Sequence, residues 1–281
     1  MCFRGNLALG RRQPNLSISM SPVRNRQTSR QIGLARALSK LGHCSRSQAA
    51  ALVRGGRVRL NDNVRRNPET PVQLETDHIE VDGQPIQREA KIYFMMNKPR
   101  GIVTTASDEK GRETVYTVLE KAQPHIKSHT RPNPWLAPVG RLDKASEGLL
   151  LLTNDSEWGT RVTDPATHLD KTYHVQIAKV VDEQLTQSLT RGVRDESELL
   201  RARKARVLRS GEKNCWLEIV LDEGKNRQIR RMLAAFDIEV LRLIRVAIGP
   251  LQLGDLAKGQ VRALTQKEKQ ALDRAMQARH S

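Results

Sequence analysis

Residues 138–155 read Pro138-Val139-Gly140-Arg141-Leu142-Asp143-Lys144-Ala145-Ser146-Glu147-Gly148-Leu149-Leu150-Leu151-Leu152-Thr153-Asn154-Asp155. Four consecutive leucines are too short a run for a membrane span and have the length of a strand buried on both faces. Gly140, after Pro138-Val139, permits a tight backbone path. Asp143 then falls at the rim of the buried strand. A carboxylate in that position can be a nucleophile if it stays ionised, and near apolar walls that requires a cation within a few ångströms. Glu147 lies four residues on, so a pair of carboxylates of the kind used in glycoside hydrolysis is also conceivable. Spacing alone equally accommodates Asp143 as a capping or turn acid.

Working outward, Ile92–Asn97 has a buried-strand pattern stopped by Lys98-Pro99-Arg100-Gly101. Thr114–Glu120 reads as a short helix. Residues 124–138 read as a loop rich in Pro and His. Further strands, separated by short helices, are expected at Leu149–Thr153, Thr172–Ile177, Trp216–Leu221, Val240–Ile248 and Val261–Leu264. These segments predict an α+β domain over residues 90–265, built on a mixed, mostly antiparallel sheet. Thr265 and Glu268 form a capping box, opening a C-terminal surface helix over 266–281. Ile229, Met232, Leu233 and Phe236 make one apolar stripe, so Asn226–Phe236 should be an amphipathic helix. Arg227 and Arg230, three apart, share a neighbouring face of it. Asn226 is the expected cap, with Gly224-Lys225 open to an anion. His125 and His129 have metal-compatible spacing but no third ligand, so no metal is expected.

Before this domain, Leu34, Ala37, Leu38 and Leu41 mark one helix face, ended by Gly42. Ser45–Gln48 reads as a capping box for a second helix, stopped at Gly55-Gly56. Short strands follow at Val58–Leu60 and His78–Val81, with a turn at Asn61-Asp62-Asn63 between them. This predicts a compact basic module over residues 31–85, flanked by Arg46, Arg54, Arg57 and Arg59, and a linker from Gln84 to Ala90. Residues 1–30 read as a basic disordered arm; their composition is also that of an organelle transit peptide.

The chain carries 48 Lys and Arg against 31 Asp and Glu, a net charge of +17, and no acid precedes Asp62. Such a field suits a polyanion. Aromatic residues make up only 3%, which argues against a base-stacking platform and for recognition by shape and charge. It also disfavours the aromatic-rich sugar cleft of a glycosidase. Three widely spaced cysteines suggest neither a disulfide framework nor a zinc site, and fit a reducing cytoplasmic setting. No membrane partner is expected, and the chain is read as a monomer.

Several pieces resemble one family in the same order. Residues 42–64, GHCSRSQAAALVRGGRVRLNDNV, are similar to the alpha-L-type RNA-binding module of a ribosomal small-subunit protein. GRLDKASEGLLLLTND closely resembles the signature of the ribosomal RNA pseudouridine synthases, in the RsuA/RluB/RluE/RluF group; the sister RluA group usually has His where this chain has Gly140. NKPRGIVTT from Asn97, KTYHVQI from Lys171 and EGKNRQIRRML from Glu223 match in order. The resemblance implies an alpha-L-type module before a catalytic domain of pseudouridine synthase fold. It implies site-specific isomerisation of uridine to pseudouridine in ribosomal RNA or a pre-ribosomal particle, with no cofactor. It also implies Asp143 as the catalytic nucleophile, Tyr173 against the target base, Arg230 pairing with the aspartate, and Arg141 filling the space of a flipped base. Arg227 and Lys225 are candidates for RNA contact. The run TTASDEKGRETVY, residues 104–116, looks like the RluB branch, which points to large-subunit RNA. The rival expectation is a non-catalytic RNA-binding assembly factor that keeps the fold.

Overall fold

The computed structural model describes residues 31–105, 111–123, 135–195 and 198–277. The basic arm 1–30 and the pair His125 and His129 lie outside the described residues.

The first module packs two short helices on small sheets. Its elements are β1 (Ile32–Gly33), α1 (Leu34–Lys40), α2 (Arg46–Arg54), β2 (Val58–Leu60), β3 (Asn63–Arg65), β4 (Pro71–Val72), β5 (Ile79–Val81) and β6 (Gln84–Pro85). The capping box at Ser45 is formed, with Gln48 N–H donating to Ser45 Oγ at 3.1 Å and Ser45 N–H donating to Gln48 Oε1 at 3.0 Å. The turn into β3 has Asn61 and Asp62 in the left-handed region, at φ 50° and 64°, where Asn and Asp are tolerated. Leu34, Leu38, Ala49, Val53, Val58 and Val72 close the small core.

The expected linker is only partly a linker. Its start is β6, paired with β5. Its end is held by Asn154, fully buried, which donates to the Ala90 carbonyl and accepts from the Ile92 N–H, both at 2.8 Å. Lys40 pairs with Glu157, and Glu89 N–H donates to the Leu41 carbonyl. The small module is thus braced against the larger domain, as its thin core needs.

The larger domain runs β7 (Tyr93–Lys98), α3 (Val115–Ala122), β8 (Ala137–Val139), β9 (Glu147–Thr153), α4 (Ser156–Thr163), β10 (Lys171–Ile177), α5 (Glu183–Arg191), β11 (Val193–Asp195), β12 (Glu198–Leu200), β13 (Lys204–Ser210), β14 (Cys215–Leu221), α6 (Gln228–Ala234), β15 (Val240–Ile248), β16 (Leu251–Gln252), β17 (Val261–Ala263) and α7 (Gln266–Gln277). The main sheet has the order β13-β14-β10-β15-β9-β7-β17, with β16 on β15 and β8 on β9. The β15–β9 pair is parallel and the other described pairs are antiparallel. The α+β, mostly antiparallel expectation is met. Every residue of β9 is buried, because apolar clusters pack on both faces of it. Leu149 and Leu151 join Trp158 and Leu272, whereas Leu150 and Leu152 join Ile102 and Leu119.

The C-terminal helix is more than a surface helix. Leu272 and Met276 are buried in the Trp158 cluster, and Trp158 Nε1 donates to Asp273 at 2.9 Å. The capping box at Thr265 and Glu268 is formed as expected.

Candidate active site

Asp143 sits on the connection between β8 and β9. Gly140 turns that connection at φ 71°. Gly148 seats its other end. At φ 102°, an added Cβ there would lie 2.3 Å from the Arg245 carbonyl oxygen and 2.8 Å from its nitrogen. Only glycine fits this approach, which lets β9 start beside β15, Gly148 opposite Arg245.

Between these glycines each carbonyl from Leu142 to Ser146 accepts a hydrogen bond. Thr104 Oγ1 donates to Leu142 O at 2.8 Å. Ser146 N–H donates to Asp143 O and Gly101 N–H to Lys144 O. Arg230 Nη2 donates to Ala145 O at 3.2 Å. Lys98 Nζ donates to Ser146 O at 2.9 Å, to Pro99 O at 3.1 Å and to Asp143 O at 3.2 Å. Lys98 is wholly buried. Burial pulls its ammonium down to about 8, against the attraction of Asp143 and Glu147 and with a contribution from Arg245. A lysine closing a strand is no signal of this role by itself. What could have pointed to it is its place in the NKPRGIVTT segment, which supplies Lys98, Gly101 and Thr104 together.

The cation nearest the Asp143 carboxylate is Arg227, with Nη1 3.4 Å from Oδ2. This corrects the expectation that Arg230 makes the ion pair. Arg230 spends its Nη1 on Val240 O and its Nη2 on Ala145 O, so it positions the loop while its charge still acts on Asp143. Burial lowers the Arg230 pKa, with repulsion from Arg227 and Arg100 and attraction from Asp143 following. Arg227 reaches the carboxylate because it adopts the left-handed region, φ 47°, at the N-cap of α6. That also corrects the helix bounds: α6 starts at Gln228, and neither Asn226 nor Arg227 caps it with a side chain. Arg231 faces away and pairs with Asp195 and Glu198.

Tyr173, half-buried on β10, lies opposite Arg245 of β15 and packs against two apolar clusters. It lines a cavity of about 280 Å³ together with Asp143, Arg141, Lys225, Arg227 and Arg230. Those expected residues are therefore brought together. Ser146, Lys171 and Arg245 share the wall without having been anticipated. Among the described residues Asp143 is the cavity's one acid, against the cations Arg141, Lys171, Lys225, Arg227, Arg230 and Arg245. Lys225 is partly engaged, 3.3 Å from both Glu198 and Glu223. Burial lowers the Lys171 pKa, Arg245 adding to it and Asp170 and Asp222 opposing.

Glu147 does not join Asp143. Its side chain is 3% exposed, held by Lys258 at 2.7 Å and by Arg242 at 3.2 Å. Burial alone would raise its pKa, but those hydrogen bonds outweigh it and keep it lowered. The paired-carboxylate arrangement of a glycosidase is absent here. Arg46, Arg54 and Arg59 are exposed on the first module, away from the cavity lining. Arg57 is exposed too, but its guanidinium is committed to Asp82, with Nε 2.8 Å from Oδ1.

Residues 92–235 match the family described as RNA pseudouridylate synthase, and residues 32–79 match the S4 domain. An uncharacterized RNA pseudouridine synthase of Aquifex aeolicus is 35% identical over 240 residues, 85% of this chain and 92% of that protein. The ribosomal large subunit pseudouridine synthase B of Bacillus subtilis is 34% identical over 238 residues, 84% of this chain and 93% of that protein. A crystal structure of a pseudouridylate synthase superposes with a TM-score of 0.57 at 30% identity, covering 86% of this chain and 99% of that one.

Proposed function

The chain belongs to the RNA pseudouridylate synthase family and is an RNA-modifying isomerase, and from that premise we propose that it converts a uridine of large-subunit ribosomal RNA to pseudouridine with Asp143 as the nucleophile. The observation that carries this reading is a cavity lined, among the described residues, by one carboxylate, six cations and Tyr173.

The reaction breaks N1–C1′, forms C5–C1′, removes the proton from C5 and places one on N1. Nothing is oxidised or reduced. The target base must first be extruded from folded RNA. Asp143, beside Arg227, acts on the sugar as N1 departs. Arg230 and Lys98 hold the loop that aims it. Tyr173 supports the base, and Arg141, exposed at the mouth, takes the place the base leaves in the helix. The surrounding cations suit the phosphates on either side. The S4 match ahead of the catalytic domain, and the large-subunit enzyme of Bacillus subtilis, favour the RsuA/RluB/RluE/RluF group and an RluB-like target. Arg46, Arg54 and Arg59 then dock structured RNA.

Pseudouridine mapping of ribosomal RNA from cells with and without the protein tests the substrate. Loss of one large-subunit site is expected, restored by the wild-type gene and not by Asp143→Ala. Restoration by Asp143→Ala would overturn the role of Asp143.

A further inference from the structure

Among the described residues, three buried side-chain atoms have no hydrogen-bond partner: Ser146 Oγ, Arg230 Nε and Arg245 Nη2. All three residues line the cavity that holds Asp143. A buried polar atom left unpaired costs ~1–3 kcal/mol, and native interiors retain few of them. Their concentration in one wall points to a ligand. Ser146 is 1% exposed and Arg245 is 6% exposed, so bulk water does not serve them.

Arg245 is firmly placed. Its Nε donates to Leu149 O at 2.7 Å, its backbone abuts Gly148, and it lies opposite Tyr173 across the β10–β15 pair. Ser146 ends the cradled loop, its carbonyl held by Lys98. The two guanidinium nitrogens can only donate, and a serine hydroxyl can donate or accept. The wall therefore asks for acceptors.

Uracil offers two, the carbonyl oxygens O2 and O4. To exchange N1 for C5, the detached base must turn about the axis through N3 and C6. That turn also exchanges the positions of O2 and O4. A wall that donates to carbonyl oxygens makes equivalent bonds before and after the turn. Cytosine carries an amino group in place of O4, so it would set a donor against a donor.

We propose that Ser146 and Arg245, with Arg230 Nε, form a carbonyl-binding wall that retains uracil while it turns and rejects cytosine. This rests on reading the cavity as the uridine site.

The test uses an RNA fragment carrying the mapped target, made with uridine or 4-thiouridine at that position. Sulfur is the weaker acceptor, so the wild-type protein should convert the 4-thiouridine fragment roughly tenfold more slowly. Ser146→Ala and Arg245→Lys should each lower kcat on uridine by roughly tenfold and shrink the difference between the two fragments. Thermal melting verifies that each variant is folded; Ser146→Ala removes one oxygen and supplies the result if Arg245→Lys does not fold. Variants that keep the wild-type rate, or that slow both fragments equally, overturn the proposal. A wild-type protein that converts no uridine in any ribosomal RNA overturns the function itself, and is distinguishable because it fails before any variant is compared.

Discussion

The loop from Leu142 to Ser146 and the first module, residues 31–85, treat their polar groups in opposite ways. In the loop each carbonyl has a donor, and two of them share the buried Lys98 ammonium. In the module, Arg46, Arg54 and Arg59 extend into solvent and β3 is exposed along its length. In the proposed reaction, bond making at C1′ tolerates little misplacement of the carboxylate, and the backbone that carries Asp143 is over-determined. Phosphate contact falls off gradually with distance and survives side-chain motion. One region stores precision in the fold, the other stores charge at its edge.

Four changes would break or sharpen that contrast. Gly148→Ala should have the largest effect. The methyl cannot occupy the space of the Arg245 carbonyl, so urea denaturation should show a loss of about 3 kcal/mol or more. Wild-type stability in this variant would mean that the β9–β15 approach is soft.

Lys98→Met comes next. It keeps the volume but withdraws the donor from three carbonyls. A fall in kcat of roughly a hundredfold is expected, with RNA affinity by fluorescence anisotropy unchanged. If affinity falls instead and kcat holds, the loop is not the element that Lys98 serves.

The pH dependence is smaller and separates activity from stability. Above about 8 the Lys98 ammonium is lost, and with it one donor and a charge beside Asp143. The pH–rate profile of kcat should therefore decline through about pH 8. Stability moves the other way for this group. Its pKa in the fold lies below its ordinary value of 10.5, so the unfolded chain binds more protons between those values. The Lys98 contribution to stability thus rises with pH across that window and is lost as pH falls through about 8. Melting curves across the same range check the sign, and Lys98→Met should lose this limb of both profiles.

The smallest effects belong to the first module. Arg46→Ala, Arg54→Ala and Arg59→Ala should each weaken RNA binding by a few-fold, on the order of 1 kcal/mol or less. Each that meets a phosphate should lower the salt slope by about one, leaving kcat at saturating RNA unchanged. Arg57→Ala should change the slope less, because Asp82 already neutralises that guanidinium.

Local signals were legible where local physics governs. The capping boxes at Ser45 and Thr265, the turn at Asn61-Asp62 and strand β15 follow from short-range preferences and fall where the spacing predicts. The α6 boundary was missed because Arg227 takes a left-handed backbone that a charged residue does not advertise. Helices α4 and α5 were expected only as short helices without bounds between the strands, and strand β13 was not anticipated; their apolar faces are short and gain meaning only against the sheet. The six cavity residues expected from the sequence do converge; helix spacing pointed to Lys225, Arg227 and Arg230, whereas the roles of Asp143, Tyr173 and Arg141 came from the family resemblance.

The sequence by itself determined the strand at Leu149–Leu152, the acid before it, the excess of cations and the α+β class, because periodicity, turn chemistry and net charge are properties of neighbouring residues. Only the tertiary structure decided that Arg227 rather than Arg230 meets Asp143, that Lys98 holds the loop and that Glu147 belongs to Arg242 and Lys258. Those pairings join residues 45 to 111 positions apart. They depend on which strand lies beside which and on where a buried donor finds its acceptor, and no local pattern in the chain encodes either.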